Sequence, residues 1–361
     1  MIEPLPPITL KKSQLKKLSL DPEATAKAVR LVYVNGSDEG ISRIKTGKGF
    51  AYKNKDKVIK DKEELQRISS LVLPPAWEDV WICTLPNGHL QATGKDAKNR
   101  KQYRYHPLWN QLRSTTKFYR MLELGKVLPA IRTKVQKDLT LPGLSKNKVL
   151  AAVISLMEKT GIRIGNEFYE KLYGSFRLTT LKDKHVNING NTVKFAFRGK
   201  KGVEHQVSLQ SKKLSRIVNQ CRDIPGKELF QYIDEEGKRQ SIESGMVNDY
   251  IKEIAEGEFT AKDFRTWCGT VTALNALKET GSFDNEKEAK QKIVQVLDKV
   301  AVHLGNTRTV CKKYYVHPSL LELYENGKME KWLNKIETGN KPDNNDLQSE
   351  EKVLMSILES L

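Results

Sequence analysis

The spacing of apolar residues changes near residue 107, and this change limits the folds open to the chain. Up to that point, short runs rich in β-branched and aromatic residues alternate with turn signals such as Asn87-Gly88, a pair typical of tight hairpins. Beyond it, apolar residues recur at the three- and four-residue spacing of amphipathic helices, and Ser145 is placed to cap one of them. We therefore predict an α+β protein with a small β-rich N-terminal domain and a larger, mainly helical one.

The domain boundaries follow from the same pattern. We predict a β-rich domain over residues 1–107, a helical domain over 108–338 and an acidic tail over 339–361. The tail ends in Leu354, Ile357, Leu358 and Leu361, a spacing that suits a short amphipathic helix. The predicted strands lie at 31–34, 41–44, 49–52, 80–85, 89–93, 179–181, 186–188, 193–197 and 205–209, with a short helix at 63–71 and helices from Lys212 to about Gly327.

The charge is unevenly distributed along the chain. Lys and Arg number 62 against 44 Asp and Glu, a formal charge of +18. Residues 337–361 carry six acidic and two basic side chains, net −4, so the chain before them carries +22. Such a basic surface favours a polyanionic partner, although charge alone does not separate DNA from RNA, or either from a basic protein that binds neither.

The sequence argues against several classes of protein. The four cysteines lie far apart without metal-ligand spacing, and the turn at Thr46-Gly47-Lys48-Gly49 lacks the spacing of a phosphate-binding loop. No apolar run approaches the roughly 18 residues of a membrane span, and the first ten residues do not resemble a signal peptide. We expect no metal, no nucleotide or other cofactor and no membrane partner, and a cytoplasmic, nucleoid-associated location.

Five local motifs carry the functional signal, and each is weak alone. In chain order they are Gly161-Ile162-Arg163-Ile164-Gly165-Asn166-Glu167, Leu178 to His185, Phe197-Arg198-Gly199-Lys200, Lys262-Asp263-Phe264-Arg265-Thr266, and Leu304-Gly305-Asn306-Thr307 followed by Lys312 to Pro318. In this order they resemble the motifs of type IB DNA topoisomerases of the bacterial and poxvirus-like kind. The resemblance extends from the N-terminal hairpins to Pro318. It implies a catalytic domain with a three-stranded sheet, similar to that of tyrosine recombinases.

The resemblance assigns a role to each of five side chains. Tyr315 would attack a backbone phosphodiester and form a 3′-phosphotyrosine, and the released 5′-oxygen would later attack this adduct. The energy of the phosphodiester bond is conserved in the adduct, so the reaction would not require ATP. Arg163 and Arg265 would meet the charge that develops on the phosphate oxygens. Lys200 would protonate the leaving oxygen, and Asn306 would donate a hydrogen bond to the phosphate, because an amide cannot shuttle a proton. The group that deprotonates Tyr315 stays open, and His303 is expected to be structural.

A second group of residues is predicted to contact duplex DNA. It comprises Lys95, Asn99, Arg100, Lys101, Gln102, Tyr103 and Tyr105 in the β-rich domain, together with Lys262 in the helical one. Cationic side chains suit phosphates, while Gln and Tyr reach base edges or sugars. Residues 100–105 also resemble the Arg-Lys-Gln-Tyr-x-Tyr strand of the same topoisomerases, which implies contact with DNA in the groove. The alternative is a charged edge strand protected against aggregation. Two domains joined near His106 could clamp around a duplex as a monomer.

Two other functions stay open at this point. A site-specific tyrosine recombinase would show His-x-x-Arg where this chain has Lys262-Asp263-Phe264-Arg265. A non-catalytic basic DNA-binding protein would need the five-motif set to have decayed. The preferred cleavage sequence and the role of the acidic tail do not follow from the sequence.

Overall fold

The computed structural model describes residues 21–47, 49–55, 57–97, 99, 101–165, 175–199, 202–226, 228–337 and 345–361. The helices are α1 (Pro22–Ala28), α2 (Lys62–Ser70), α3 (Pro107–Asp138), α4 (Lys146–Thr160), α5 (Lys212–Arg222), α6 (Ser244–Ala255), α7 (Ala261–Thr280), α8 (Glu286–Leu304), α9 (Arg308–Tyr314), α10 (Pro318–Glu325), α11 (Glu330–Leu333) and α12 (Ser349–Ser360). The strands are β1 (Gly40–Thr46), β2 (Gly49–Asn54), β3 (Lys57–Val58), β4 (Glu78–Cys83), β5 (Leu90–Lys95), β6 (Lys101–Tyr105), β7 (Val186–Asn189), β8 (Thr192–Arg198), β9 (Glu204–Gln210), β10 (Gln231–Ile233) and β11 (Arg239–Ser241).

The chain forms two compact units, Met1–Arg120 and Met121–Leu361. The β-rich N-terminal part and the larger helical part confirm the predicted α+β class. The units divide within α3, whereas the domain boundary predicted after residue 107 falls at the start of that helix. That boundary stays a prediction.

The N-terminal unit is built on a six-stranded antiparallel sheet in the order β3-β2-β1-β4-β5-β6. The predicted hairpins are confirmed: β1 pairs with β2, and β4 pairs with β5 across the Asn87-Gly88 turn. Alternating residues of the sheet, including Ile41 and Ile82, pack with Ile68 of α2 in a buried cluster, as expected for a strand period of two. Strand β6 pairs with β5 and forms one edge of the sheet.

The strand predicted at residues 31–34 is wrong. Only Val32 forms an isolated bridge, to Gly88. Leu31 packs with α1 and Trp109 in a separate buried cluster, and the ring of Tyr33 stacks on His89. Packing of the side chains therefore determines this segment more than its β propensity does.

The C-terminal unit surrounds an apolar core with helices and carries a three-stranded antiparallel sheet in the order β7-β8-β9, as predicted. Helix α4 begins after Ser145 and lies deep in this core, with most of its residues buried. The strand predicted at 179–181 is wrong, because Leu178–Thr180 form a turn of 3₁₀ helix. The Thr180 hydroxyl accepts a hydrogen bond from the Arg177 amide at 3.0 Å, a local bond that competes with strand pairing.

A short hairpin, β10–β11, interrupts the helical region, and the sequence analysis missed it. Its turn is held by Asp234, whose carboxylate accepts hydrogen bonds from the amides of Glu236 and Lys238 at 3.2 and 2.7 Å. Gly237 has a φ of 76°, which a glycine adopts without strain. Strands of three residues leave too little pattern to recognise in a sequence.

The last helix, α12, packs against α7 and α11. Its apolar residues Val353, Leu354, Ile357 and Leu358 are buried. Within the described ranges, no helix combines the length and the apolar character needed to cross a membrane.

Candidate active site

Helix α7 carries Arg265, which lines an open cleft of about 410 Å³. The helix begins in a capping box, in which Asp263 accepts hydrogen bonds from the amide and hydroxyl of Thr260 at 2.9 and 2.8 Å. Arg265 is 4% exposed. Its two terminal nitrogens donate to the carbonyl oxygens of Gly161 and, at 3.0 Å, Leu304. The guanidinium therefore joins the ends of α4 and α8.

Arg163 lies in the loop that follows α4. That helix ends at Gly161, which has a φ of 64° in the left-handed region that glycine adopts readily. Two residues further on, Arg163 donates hydrogen bonds to the side-chain oxygen of Asn306 and, at 3.4 Å, to the carbonyl of Gly305. Both active-site arginines therefore contact the segment where α8 ends.

Asn306 directly follows that helix end. Gly305 terminates α8 in the left-handed conformation with a φ of 57°. The backbone N–H of Asn306 donates a hydrogen bond to the carbonyl of Ala301 at 2.9 Å. The side-chain oxygen of Asn306 accepts a hydrogen bond from Arg163, so the side-chain NH₂ group points away from that contact. The NH₂ nitrogen lies 3.5 Å from the carbonyl oxygen of Leu304.

Tyr315 is held by α7 as well. It is the first residue after α9, with a φ of −131°, and its carbonyl accepts from the Thr270 hydroxyl at 3.1 Å. A side chain at Gly269 would place its Cβ only 2.7 Å from the Tyr315 carbonyl oxygen, so glycine permits this close approach. The Arg265 guanidinium carbon lies 5.1 Å from the centre of the Tyr315 ring.

Positive charge dominates the electrostatics of the cleft. Burial alone would raise the pKa of the Tyr315 phenol, but the charges of Arg265, Arg163 and Lys262 bring it below its ordinary value. Burial and the charge of Arg265 lower the pKa of Arg163 to about 10, which leaves it charged at neutral pH. The positive charges therefore stabilise the phenolate of Tyr315 relative to that of an ordinary tyrosine, and they suit the anionic oxygens of a phosphate.

The structure brings together four of the five predicted catalytic residues: Arg163, Arg265, Asn306 and Tyr315. Lys200 lies outside the described residues, between the ends of β8 and β9. Lys262 is exposed on the first turn of α7 and lines the same cleft. Elsewhere in the described ranges, no group of three or more His, Cys, Asp or Glu residues could hold a metal ion.

Sequence reasoning missed His205 of β9. Its ring stacks on Phe197 with centroids 4.9 Å apart. A Cβ built on Gly305 would lie 1.9 Å from the imidazole. Burial and the charges of Arg163 and Arg265 lower the pKa of His205. Its position next to the Lys200 hairpin was the only available signal, and no spacing pointed to it.

Ser244 and Asn248 of α6, which line the cleft, were missed too. They lie in a stretch of sequence that is predicted to be helical and that contains no recognisable motif. His303, which was expected to be structural, lies 3.2 Å from the Cys268 sulfur through its Nε2, and burial lowers its pKa.

In the N-terminal unit, one face of β6 combines cations with aromatic rings. Tyr103 and Tyr105 stack with centroids 5.9 Å apart, and Lys101 lies over the Tyr103 ring at 5.9 Å. Tyr103 is 50% exposed. Tyr33, which the sequence analysis did not select, stacks on His89 at 4.2 Å near Tyr105. This face offers both charge and flat apolar surface to a ligand.

Other predicted DNA contacts have partners within this unit. Lys95 pairs with Asp79 at 2.6 Å, and Gln102 donates to Asp96 at 2.9 Å. Asn99 adopts a φ of 54° in the turn before β6, a conformation that Asn tolerates. Arg100 lies outside the described residues. DNA contact by these residues stays a prediction.

Comparisons with known proteins match both units of the chain. The family model described as "Eukaryotic DNA topoisomerase I, catalytic core" matches residues 106–341. The model described as "Bacterial DNA topoisomerase IB, N-terminal domain" matches residues 49–96. DNA topoisomerase 1B of Acanthamoeba polyphaga mimivirus is 34% identical over 80% of this chain and 88% of its own. DNA topoisomerase 1B of Vaccinia virus (strain Copenhagen) is 25% identical over 68% and 76%.

The chain therefore belongs to the type IB DNA topoisomerases. Among solved structures, a XerH site-specific recombinase bound to palindromic difH substrate aligns with a TM-score of 0.35 and 14% identity, over 56% of this chain and 51% of that one. A likeness this weak supports neither a shared fold nor the recombinase alternative.

Proposed function

We propose that this protein relaxes supercoiled duplex DNA by nicking one strand through Tyr315 and resealing it. The observation that carries the proposal is the meeting of Tyr315, Arg163 and Arg265 in one cleft of positive potential. Tyr315 attacks the phosphorus in line, the 5′-oxygen leaves, and a 3′-phosphotyrosine forms. Rotation of the free end changes the linking number before the 5′-oxygen attacks back and releases the tyrosine.

The two arginines stabilise the charge that builds up on the non-bridging oxygens in the transition state. Arg265 uses its terminal nitrogens on backbone carbonyls, and its Nε is buried without a hydrogen-bond partner among the described residues. The guanidinium carbon of Arg265 lies 5.1 Å from the centre of the Tyr315 ring, so its positive charge acts on a phosphate that the phenol attacks. Asn306 orients Arg163 through its side-chain oxygen, and its NH₂ group, which makes a long contact of 3.5 Å to the Leu304 carbonyl, serves as a further donor to the phosphate in this proposal. In this proposal Lys200 protonates the leaving oxygen.

The proposed reaction needs no external energy, because the phosphodiester energy is stored in the phosphotyrosine. We therefore expect a purified sample to relax both positively and negatively supercoiled plasmid in EDTA without ATP. Gel electrophoresis of the plasmid topoisomers measures this. A strict requirement for a divalent metal or ATP in a single round of relaxation would contradict the proposed mechanism. A knotted or recombined product would support the recombinase instead.

Binding to the duplex is proposed to involve the exposed face of β6. Replacing Arg100 and Lys101 together with alanine should reduce the slope of log affinity against log salt by about two units, since each phosphate contact contributes near 0.9. The affinity for a short duplex, measured at several salt concentrations, gives the slope.

The control for this measurement replaces Lys57 and Lys60 with alanine. Both are exposed at or next to β3, the opposite edge of the same sheet, and their loss changes the net charge equally. We expect the control to keep most of the parental slope. Equal slopes for both double variants would return β6 to the alternative of a charged, protected edge strand.

We further propose that the protein acts as a monomer in the cytoplasm, in association with the nucleoid. The basic charge of +18 supports an association with DNA.

A further inference from the structure

Glu351 lies near the start of α12, in the acidic tail whose role the proposed reaction leaves open. Its side chain is only 7% exposed. The two carboxylate oxygens accept hydrogen bonds from the two terminal nitrogens of Arg132, at 2.7 and 2.9 Å. The same oxygens also accept from the Trp267 indole and the Gln348 amide, both at 2.9 Å. Such bidentate, charge-assisted bonding fixes geometry as well as charge.

Arg132, on α3, extends this network to a further helix. Its Nε donates to Glu158 of α4 at 2.7 Å, and one terminal nitrogen donates to the Asp346 carbonyl at 3.0 Å. Burial alone would lower the pKa of Arg132, but the hydrogen bonds and charges of Glu351 and Glu158 raise it above its ordinary value. Four helices, α3, α4, α7 and α12, therefore meet at one guanidinium–carboxylate pair.

One of these helices, α7, carries Arg265, and another, α4, leads into the loop that carries Arg163. Glu158 lies in the last turn of α4, five residues before Arg163, and Trp267 follows Arg265 by two residues on α7. The two elements already touch where Arg265 donates to the Gly161 carbonyl. Arg132 and Glu351 provide a second connection between the same two elements.

The helices approach closely at this point. A Cβ built on Gly125 of α3 would lie 2.7 Å from the Trp267 ring and 2.3 Å from the sulfur of Met355 on α12. Any larger residue at position 125 would force these helices apart. The packing and the charge network therefore hold the indole of Trp267 from two sides.

We propose that Glu351 is a positioning residue, which acts through Arg132 and Trp267 to hold Arg163 and Arg265 in the geometry required for cleavage. The acidic tail is then part of the catalytic unit. This inference rests on the proposed function. Displacing a reacting group by about 1 Å can cost roughly 10²-fold in rate, so a network that fixes both arginines affects the chemical step without touching DNA.

The test is the variant Glu351→Gln, which keeps the shape of the side chain and removes its charge. We expect the single-turnover cleavage rate constant on a suicide duplex, at saturating protein, to fall roughly 10- to 100-fold. Affinity for the duplex should stay at the parental value. Loss of folded protein lowers the amplitude of the reaction, whereas loss of positioning lowers its rate constant, so the two effects separate.

Glu64→Gln is the matched control. Glu64 of α2 accepts hydrogen bonds from the Nε of Arg67 at 2.8 Å and from a terminal nitrogen of Arg67 at 2.6 Å, and its side chain is 25% exposed. Like Glu351, it is a carboxylate in a bidentate pair with an arginine, but it belongs to the N-terminal unit, which contains neither Arg163 nor Arg265. We expect it to lower the unfolding temperature and to leave the rate constant of the folded fraction unchanged.

A spectroscopic readout tests the bond itself. The chain has five tryptophans, so indole N–H resonances are few, and Trp267→Phe identifies the one that belongs to Trp267. This resonance should move upfield in Glu351→Gln as the carboxylate is lost. Trp267→Phe keeps an aromatic ring in place but loses the bond to Glu351, so it should itself lower the cleavage rate constant, by up to roughly 10²-fold, through the same loss of positioning. It provides the kinetic test if Glu351→Gln does not fold.

A parental rate constant in Glu351→Gln, or in Trp267→Phe, would overturn the proposal, as would an equal fall in Glu64→Gln. An indole resonance that does not respond to Glu351→Gln would overturn it as well. If the parent protein forms no adduct with the suicide duplex, the proposed function fails instead, and the indole measurement still reports on the bond.

Discussion

Replacing Arg265 with alanine should slow DNA cleavage by at least roughly 10²–10³-fold, the cost of removing one preorganised donor to a developing oxyanion. The same fall is expected for Arg163→Ala. Both guanidinium groups lie in the Tyr315 cleft and are held by hydrogen bonds to the end of α8. Single-turnover formation of the covalent adduct measures the effect. Duplex affinity should change little, because most of it comes from phosphates bound elsewhere.

The design must separate chemistry from folding, since Arg265 also bonds to the carbonyls of Gly161 and Leu304. Arg265→Lys keeps a charge but loses the planar fork, so it should fold more readily and still cleave far more slowly than the parent. Arg222→Ala is the control: it removes an arginine that pairs with the exposed Asp183, a contact of small energetic value. Near-normal cleavage by an Arg163 or Arg265 variant would exclude that residue from the site.

The sequence selected the residues of the candidate site more successfully than the residues that pack around them. Arg163, Arg265, Asn306 and Tyr315 could be selected because each lies in a local motif, and the order of the motifs along the chain is specific. Their functional roles stay predictions. His205 could not be selected, since its place beside Gly305 depends on how β9 packs against the end of α8. Long-range contacts of this kind leave no periodic signal in a sequence.

The fold shows the same limit. Hairpins marked by Asn-Gly and helices of three turns or more were predicted correctly, because turn chemistry and amphipathic spacing act locally. Residues 31–34 and 179–181 have β propensity, yet packing on α1 and a threonine–backbone bond decide their structure. For Glu351, the sequence predicted an amphipathic helix but gave no sign that an acidic residue would be buried in it, because its partner Arg132 is 219 residues away.

Replacing Tyr315 with phenylalanine should abolish the covalent adduct entirely, while Tyr314→Phe should still form it. Tyr314 is 41% exposed at the end of α9, with Lys313 over its ring. Tyr315 leaves the helix at that point, and its ring lies beside Arg265. Burial alone would raise the pKa of the Tyr315 phenol, but the charges of Arg265, Arg163 and Lys262 lower it. A denaturing gel of protein incubated with a labelled suicide duplex reports the adduct.

The pair of variants is its own control, because the two substitutions are chemically identical and adjacent. Removing the Tyr315 hydroxyl leaves the backbone contacts to Thr270 and Gly269 in place, so Tyr315→Phe should fold and bind duplex like the parent. The lowered pKa adds a second expectation: adduct formation should rise with pH over a lower range than for an ordinary tyrosine, whose pKa is near 10. An adduct with Tyr315→Phe but none with Tyr314→Phe would place the nucleophile one residue earlier. It would also contradict the role assigned to Asn306, because Asn306 and Tyr315 were selected together from one two-part motif, Leu304 to Thr307 followed by Lys312 to Pro318.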